Sequence, residues 1–466
     1  MPPPDLPVDI VCDSIRVPLD RAQPSAGGTT VAYALMRRRD HGTATSGTVA
    51  VNPGGPGAPT IPYALEYAKA LHGLLNTHDL LLIDPRGTGQ SGPIGCDALA
   101  PGRFRPTTRA DWVRAYGQCG RALGHRARYY TSAAIADDFD AVRARLRIPQ
   151  LDLHGLSYGT FLMTVYAQRH PTRVRSMVLS SAYPLKFDMW GRPNARAMNR
   201  ALRLLCERSR GRCSPRQVIA DLGTVAGRVR AHPLPYEAGG RRLLLDETAL
   251  AQIGYNVATS NPSLLGRFPG VLRAAASGDT APLVDMAKVL NTLPEQASPQ
   301  EPALDPSPAQ TAAVVCNDYP TLWNRRAPIP DRIRQFEQRR AALPDEPYRP
   351  FSVRGWTDAI IDQGDICLRW PDRDGPVQST RGPFADVPVL VLSGDLDPNT
   401  PTASGRLAAR QFRRAQVIEV PNTGHGPSFF WSNGAACAAS LEVRFLQTRR
   451  APDTGCLAQI PPIPVT

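Results

Sequence analysis

Lysine is almost missing from this chain. Only Lys69, Lys186 and Lys288 occur, and every other basic side chain is an arginine. The formal net charge of +13 is spread along the sequence, with Arg37-Arg38-Arg39 the longest basic run. A nucleic-acid face would gather such charge into a stripe, so no nucleic-acid partner is expected. Long apolar runs are missing too. None approaches the roughly 18 residues that a membrane-spanning helix needs, and no span is expected. The opening stretch MPPPDLPVDIVC has neither the basic nor the apolar region of a signal peptide. No Cys-x-x-Cys occurs and no histidine stands at ligand spacing from a cysteine, which argues against zinc. No metal or cofactor is expected.

Cysteine itself is plentiful. Nine are present, and eight fall in close pairs along the chain: Cys96 and Cys119, Cys206 and Cys213, Cys316 and Cys367, Cys437 and Cys456, with Cys12 left over. A reducing compartment rarely needs so many, so the cysteines favour an extracytoplasmic protein, against the absent signal pattern. With 466 residues and 42% apolar content, the chain is expected to form one enlarged domain or two.

Strands are expected at Val17 to Leu19, Thr30 to Met36 and Gly47 to Asn52, with a hairpin signal at Ala26-Gly27-Gly28. A further strand runs from His78 to Asp84, an amphipathic helix from Ala133 to Leu146, and a strand from Ser176 to Ser181. Strands alternating with helices imply a mostly parallel sheet covered on both faces. From Leu185 to about Arg381 the rhythm changes to helices: Ala195 to Arg208, Pro215 to His232, Thr248 to Ala258 and Asp331 to Ala342, with a proline-rich loop from Leu293 to Gln310. The sheet resumes at Val387 to Ser393 and Gln416 to Val420, around a helix from Ser404 to Arg413. The expected organisation is a core of residues 1–184 and 382–466 interrupted by a helical lid, 185–381.

Gly155-Leu156-Ser157-Tyr158-Gly159 follows the short apolar run of Leu151 and Leu153 and precedes a helical stretch, Phe161 to Arg169. Gly-x-Ser-x-Gly between strand and helix is the setting of a nucleophile elbow, where backbone and helix pass too close for bulky side chains. Ser157 then needs a base and an acid to orient it, and in this architecture the order is serine, acid, histidine. Two loops at strand ends supply them: Gly394-Asp395-Leu396-Asp397-Pro398-Asn399-Thr400-Pro401 and Asn422-Thr423-Gly424-His425-Gly426. Asp395 and Asp397 are both candidates for the acid. His170 and His232 occupy no such loop, and His154 precedes the elbow on its own strand. An oxyanion hole would use the Tyr158 N–H and one from Asn52-Pro53-Gly54-Gly55-Pro56-Gly57, where Gly55 is the first choice and Gly57 the second, proline having no N–H.

These two Gly-rich motifs, with Asp84-Pro85-Arg86-Gly87-Thr88-Gly89-Gln90-Ser91, the acid and histidine loops, and Cys367-Leu368-Arg369-Trp370-Pro371, resemble the tripeptidyl aminopeptidase branch of the α/β-hydrolases, relatives of proline iminopeptidases. The resemblance runs from about Val17 to Cys456 and is thin across the lid. It implies Ser157 as nucleophile, Asp397 rather than Asp395 as acid and His425 as base, acting on peptide bonds near a free N-terminus. With proximity along the chain, it also implies disulfides Cys96–Cys119, Cys206–Cys213, Cys316–Cys367 and Cys437–Cys456. Because the family places substrate recognition in the lid, Asp318, set between Cys316 and the aromatic Tyr319 and Trp323, is the candidate partner of a substrate ammonium; the alternative is a helix-end cap. Two other functions stay open: an esterase, lactonase or amidase acting on a small molecule, and a non-catalytic binding protein on a hydrolase scaffold. The oligomeric state is left open.

Overall fold

The computed structural model describes residues 8–39, 46–106, 108–292, 306–359, 364–371, 378–429 and 432–466. Most of the proline-rich loop from Leu293 lies outside them. Ten strands are described: β1 Val8–Pro18, β2 Gly28–Arg38, β3 Gly47–Asn52, β4 His78–Ile83, β5 Leu151–Leu156, β6 Val174–Ser180, β7 Leu234–Ala238, β8 Arg241–Leu245, β9 Val389–Gly394 and β10 Ala415–Val420. Eight of them form one sheet in the order β1-β2-β4-β3-β5-β6-β9-β10. From β4 to β10 every pairing is parallel; β1 and β2 run antiparallel at one edge.

The helices that cover this sheet before the break in rhythm are α1 Ala64–Ala70, α2 Arg109–Leu123, α3 Ser132–Arg145 and α4 Tyr158–Arg169. Between β6 and β9 come α5 Arg192–Glu207, α6 Pro215–Ala231, α7 Glu247–Ser260, α8 Pro262–Ser277, α9 Ala281–Thr292, α10 Pro308–Asp318, α11 Ile329–Ala341 and α12 Val353–Thr357. This stretch also holds the β7–β8 hairpin, paired antiparallel around Gly239 and Gly240. The chain ends with α13 Thr402–Ala409 and α14 Ala435–Thr448.

Successive strand side chains point to opposite faces, and here both faces are covered. Val49, Val51, Leu80, Leu82, Val178, Leu390 and Leu392 pack with Tyr67 of α1 and Leu441 and Phe445 of α14. Their neighbours Ala50, Leu81, Leu153, Met177, Leu179, Val389 and Val391 pack with Phe139 of α3 and Phe161 and Val165 of α4. Double coverage explains why Leu80-Leu81-Leu82-Ile83 reads as an unbroken apolar run.

Some elements differ from expectation. β1 is far longer than Val17 to Leu19, because most of it lies exposed at the sheet edge and carries mixed polar residues instead of a clean alternation. Its link to β2 is a loop across residues 19–27, closed by the Leu19 N–H donating to the Gly27 carbonyl, not a two-residue turn. The helix after the elbow starts at Tyr158, three residues earlier than expected. The four cysteine pairs are bonded as the resemblance implied, and Cys12 is a free thiol on exposed β1. Among the described residues no helix is long and apolar enough to cross a membrane.

Candidate active site

Ser157 stands between β5 and α4 with φ 55° and ψ −124°. A non-glycine residue rarely adopts that backbone, and it persists because the surroundings leave no alternative. A Cβ on Gly155 would lie 2.4 Å from the Gly159 carbonyl oxygen, and one on Gly159 would lie 2.5 Å from that of Asn52. Any larger residue would push α4 off the sheet. The Ser157 N–H donates to the Ser180 carbonyl on β6, 3.0 Å away, fixing the turn to the next strand. Ser157 is half-buried while Leu156 and Tyr158 on either side are buried.

The glycine-rich loop after β3 lies against this turn. A Cβ on Gly54 would sit 3.0 Å from the Ser157 Cβ and 3.1 Å from the Tyr158 nitrogen. The Gly54 N–H is already engaged by Asn52 Oδ1 at 3.1 Å, and Gly55 is the exposed residue of the loop. Asp84, from the motif after β4, props up the segment beyond it: Oδ1 accepts the N–H groups of Thr60 and Ile61, and Oδ2 that of Gln90. Its neighbour Arg86 is buried and paired with Asp138 of α3 at 2.6 Å. From the insertion, Thr311 Oγ1 donates to the Pro56 carbonyl at 2.7 Å and the Ser307 N–H to that of Gly57 at 2.9 Å.

Two strand ends away, Asp397 and His425 meet. Asp397 Oδ2 lies 2.9 Å from His425 Nδ1. The same carboxylate accepts the Thr400 hydroxyl at 2.6 Å and the N–H groups of Asn399 and Thr400 at 2.8 and 3.1 Å. Burial works to raise its pKa, but the His425 charge and these hydrogen bonds outweigh it and hold the carboxyl below its ordinary value. The histidine loop is tied down on both sides: the His425 N–H donates to the Thr259 carbonyl at 2.7 Å, and the Gly426 N–H to Ser181 Oγ at 2.8 Å. Asp395 is engaged elsewhere, its carboxylate 2.5 Å from Arg208 of α5. Thr400, Ser181 and Arg208 went unnoticed in the sequence; only Thr400, three residues beyond Asp397, carried a local signal, since a hydroxyl there can close a turn on the acid.

Asp318 is at the end of α10. Its Oδ2 accepts the Ser132 N–H, the first of α3, at 2.6 Å, and Ser132 Oγ bonds the Tyr158 hydroxyl at 2.8 Å. The side chain is fully buried, which raises its pKa to about 6 against the opposing pull of Ser132 and Arg325. Asp318 Oδ1 has no hydrogen-bond partner among the described residues.

Residues 47–204 match the family model described as alpha/beta hydrolase fold, and residues 352–457 that described as TAP-like protein. A tripeptidyl aminopeptidase of Streptomyces lividans is 25% identical over 450 residues, covering 91% of this chain and 79% of that protein. Serine protease Hip1 of Mycobacterium tuberculosis is 33% identical over 193 residues, covering 38% of this chain and 36% of that one. Carboxylesterase B of Mycobacterium tuberculosis is 28% identical over 484 residues, covering 95% and 85%. The fold, the elbow and these matches agree: this is an α/β-hydrolase, similar to tripeptidyl aminopeptidases, and a serine hydrolase of the peptidase type.

Proposed function

We propose that Ser157, His425 and Asp397 form a catalytic triad that cleaves peptides at a free N-terminus through an acyl-enzyme. The observation that carries this reading is the Asp397–His425 pair, 2.9 Å apart through Nδ1, on strand-end loops of the sheet whose β5 ends in the strained Ser157. With Nδ1 engaged by the acid, Nε2 is the nitrogen that takes the Ser157 proton as Oγ attacks the scissile carbonyl. Negative charge then develops on the carbonyl oxygen, where the N–H groups of Tyr158 and Gly55 would receive it. Collapse breaks the C–N bond, and the departing amine takes the proton back from the imidazolium. Water repeats the cycle against the ester, releasing the acid and restoring Ser157. Residues 185–381 would act as the lid that shapes the substrate cleft.

Within this proposal Asp318 is the candidate partner of the substrate ammonium, through Oδ1, with Oδ2 kept as the cap on α3. The proposed location is outside the reducing cytoplasm, supported by the four disulfides. The test is a set of chromogenic tripeptide anilides, free and N-acetylated, beside an ester of the same acyl group. Rapid turnover of the free anilide with little of the acetylated one is expected. A site that needs the ammonium leaves a buried carboxylate unpaired when the amine is acylated. Equal turnover of both anilides would remove the N-terminal requirement, and turnover of the ester alone would favour the esterase reading that the carboxylesterase B similarity supports.

A further inference from the structure

Helices α5 and α7 of the insertion grip the two loops that carry Asp397 and His425. From α5, Asn194 Nδ2 donates to the carbonyls of Pro398 and Asn399, both at 2.8 Å. From α7, the Tyr255 hydroxyl donates to Asn399 Oδ1 at 2.6 Å, and the Thr259 carbonyl holds the His425 N–H. One side chain reaches both loops at once. Arg208, at the C-cap of α5, pairs through Nη2 with Asp395 Oδ2 at 2.5 Å and donates through Nη1 to Asn422 Oδ1 at 2.9 Å. Asp395 lies two residues before Asp397, and Asn422 three before His425.

We infer that Arg208 is a positioning residue that sets the register between the acid loop and the histidine loop, an inference that rests on the triad reading above. Three features support it. A planar guanidinium with fixed donors can bridge two acceptors at once, which an ammonium cannot do with the same rigidity. Both acceptors need a partner: Asp395 is 5% and Asn422 7% exposed, and a buried acceptor left without a hydrogen bond is costly. The arginine itself is held, because the Cys206–Cys213 disulfide closes the short loop that contains it. The insertion therefore has a fixed part, α5 and α7, on which the catalytic geometry hangs, whatever the remainder does during turnover.

The experiment compares Arg208→Met, Arg208→Lys and Ser157→Ala on the free tripeptide anilide, with thermal unfolding recorded for each. Arg208→Met should lower kcat by about 30- to 100-fold, the scale of a misplacement near 1 Å, while KM changes less than about twofold and the protein stays folded. Arg208→Lys should recover only part of that loss, since it restores the charge beside Asp395 and not the bridge. Millimolar guanidinium should raise the rate of Arg208→Met and leave the wild type unchanged. Coupling is expected as well, so Asp395→Asn added to Arg208→Met should cost less than the two single losses combined. A folded Arg208→Met with wild-type kcat, beside an inactive Ser157→Ala, would overturn the inference and leave the triad standing. An active Ser157→Ala would instead overturn the triad. Should Arg208→Met fail to fold, Arg208→Lys decides through the same split between kcat and KM.

Discussion

Among the described residues three histidine–carboxylate pairs are nearly equal in length; besides the partly exposed His170–Asp137 at 2.9 Å, two are more deeply placed. Asp397 and His425 meet at 2.9 Å at the ends of strands; Glu442 and His154 meet at 3.0 Å in the core, between α14 and the middle of β5. Distance does not tell them apart. Their surroundings do. The Asp397 carboxylate is held by three further hydrogen bonds from its own loop, and His425 engages it through Nδ1 with 12% of its side chain exposed. Glu442 meets His154 through Nε2, with the pair sealed from water. Its Oε1, His154 Nδ1 and the nearby Tyr67 hydroxyl have no hydrogen-bond partner among the described residues. Burial first, and Glu442 second, push the Tyr67 hydroxyl well above its ordinary pKa. A preorganised acid beside a reachable imidazole can pass a proton to substrate; a sealed pair can only stabilise or strain the core.

The comparison breaks most sharply by mutation of the two acids. Asp397→Asn should lower kcat by about 10⁴-fold, as loss of the orienting acid does in other triads, and Asp395→Asn by far less, because its carboxylate serves Arg208. The reverse order of losses in steady-state kinetics would exchange the two roles. Glu442→Ala should do the opposite of Asp397→Asn. It leaves His154 buried without its partner and should cost about 3 kcal/mol of stability in denaturant unfolding, while kcat of the folded fraction stays within about threefold. A selective loss of kcat there would bring the core pair into the chemistry.

A smaller effect concerns Asp318. Its folded pKa of about 6 lies above the ordinary 3.8, so the native state binds more protons than the unfolded one between those values. The stability it contributes is full at lower pH and is lost as pH rises through about 6. His78 acts in the opposite sense: burial lowers it to about 4, so its stability contribution grows as pH rises toward 6.5. The two are separated by comparing Asp318→Asn with wild type. The variant should gain about 1.4 kcal/mol relative to wild type between pH 5 and pH 7.5, the equivalent of the one unit between pH 5 and the folded pKa of about 6. No pH dependence in that difference would mean that Asp318 is solvated.

The elbow was legible in the sequence because its constraint is steric and local: each glycine of the motif faces a carbonyl oxygen at a distance no Cβ tolerates. The parallel strands were legible because two covered faces demand unbroken apolar runs. The choice between Asp395 and Asp397 was not legible from the residues alone. Both follow β9 and both are buried; what separates them is Arg208, nearly two hundred positions earlier, which claims the first. Helix α10 escaped because it is buried almost all round, which erases the helical period, although Ser307 before Pro308 is a helix-start signal. The β7–β8 hairpin escaped although Gly239-Gly240 is a turn signal, because the stretch around it was read as continuous helices. Asp318 carried a mixed signal: burial was readable from its apolar neighbours, whereas its bond to the start of α3 depends on tertiary packing.

The central claim is that Ser157 is the nucleophile, activated by His425 and Asp397. Intact-mass and peptide-mapping spectrometry after treatment with a fluorophosphonate tests it most directly. A single adduct, mapped to Ser157, absent from Ser157→Ala and slowed strongly in Asp397→Asn, is the expected result; an adduct on another residue, or undiminished labelling and peptide cleavage in Ser157→Ala, would contradict it.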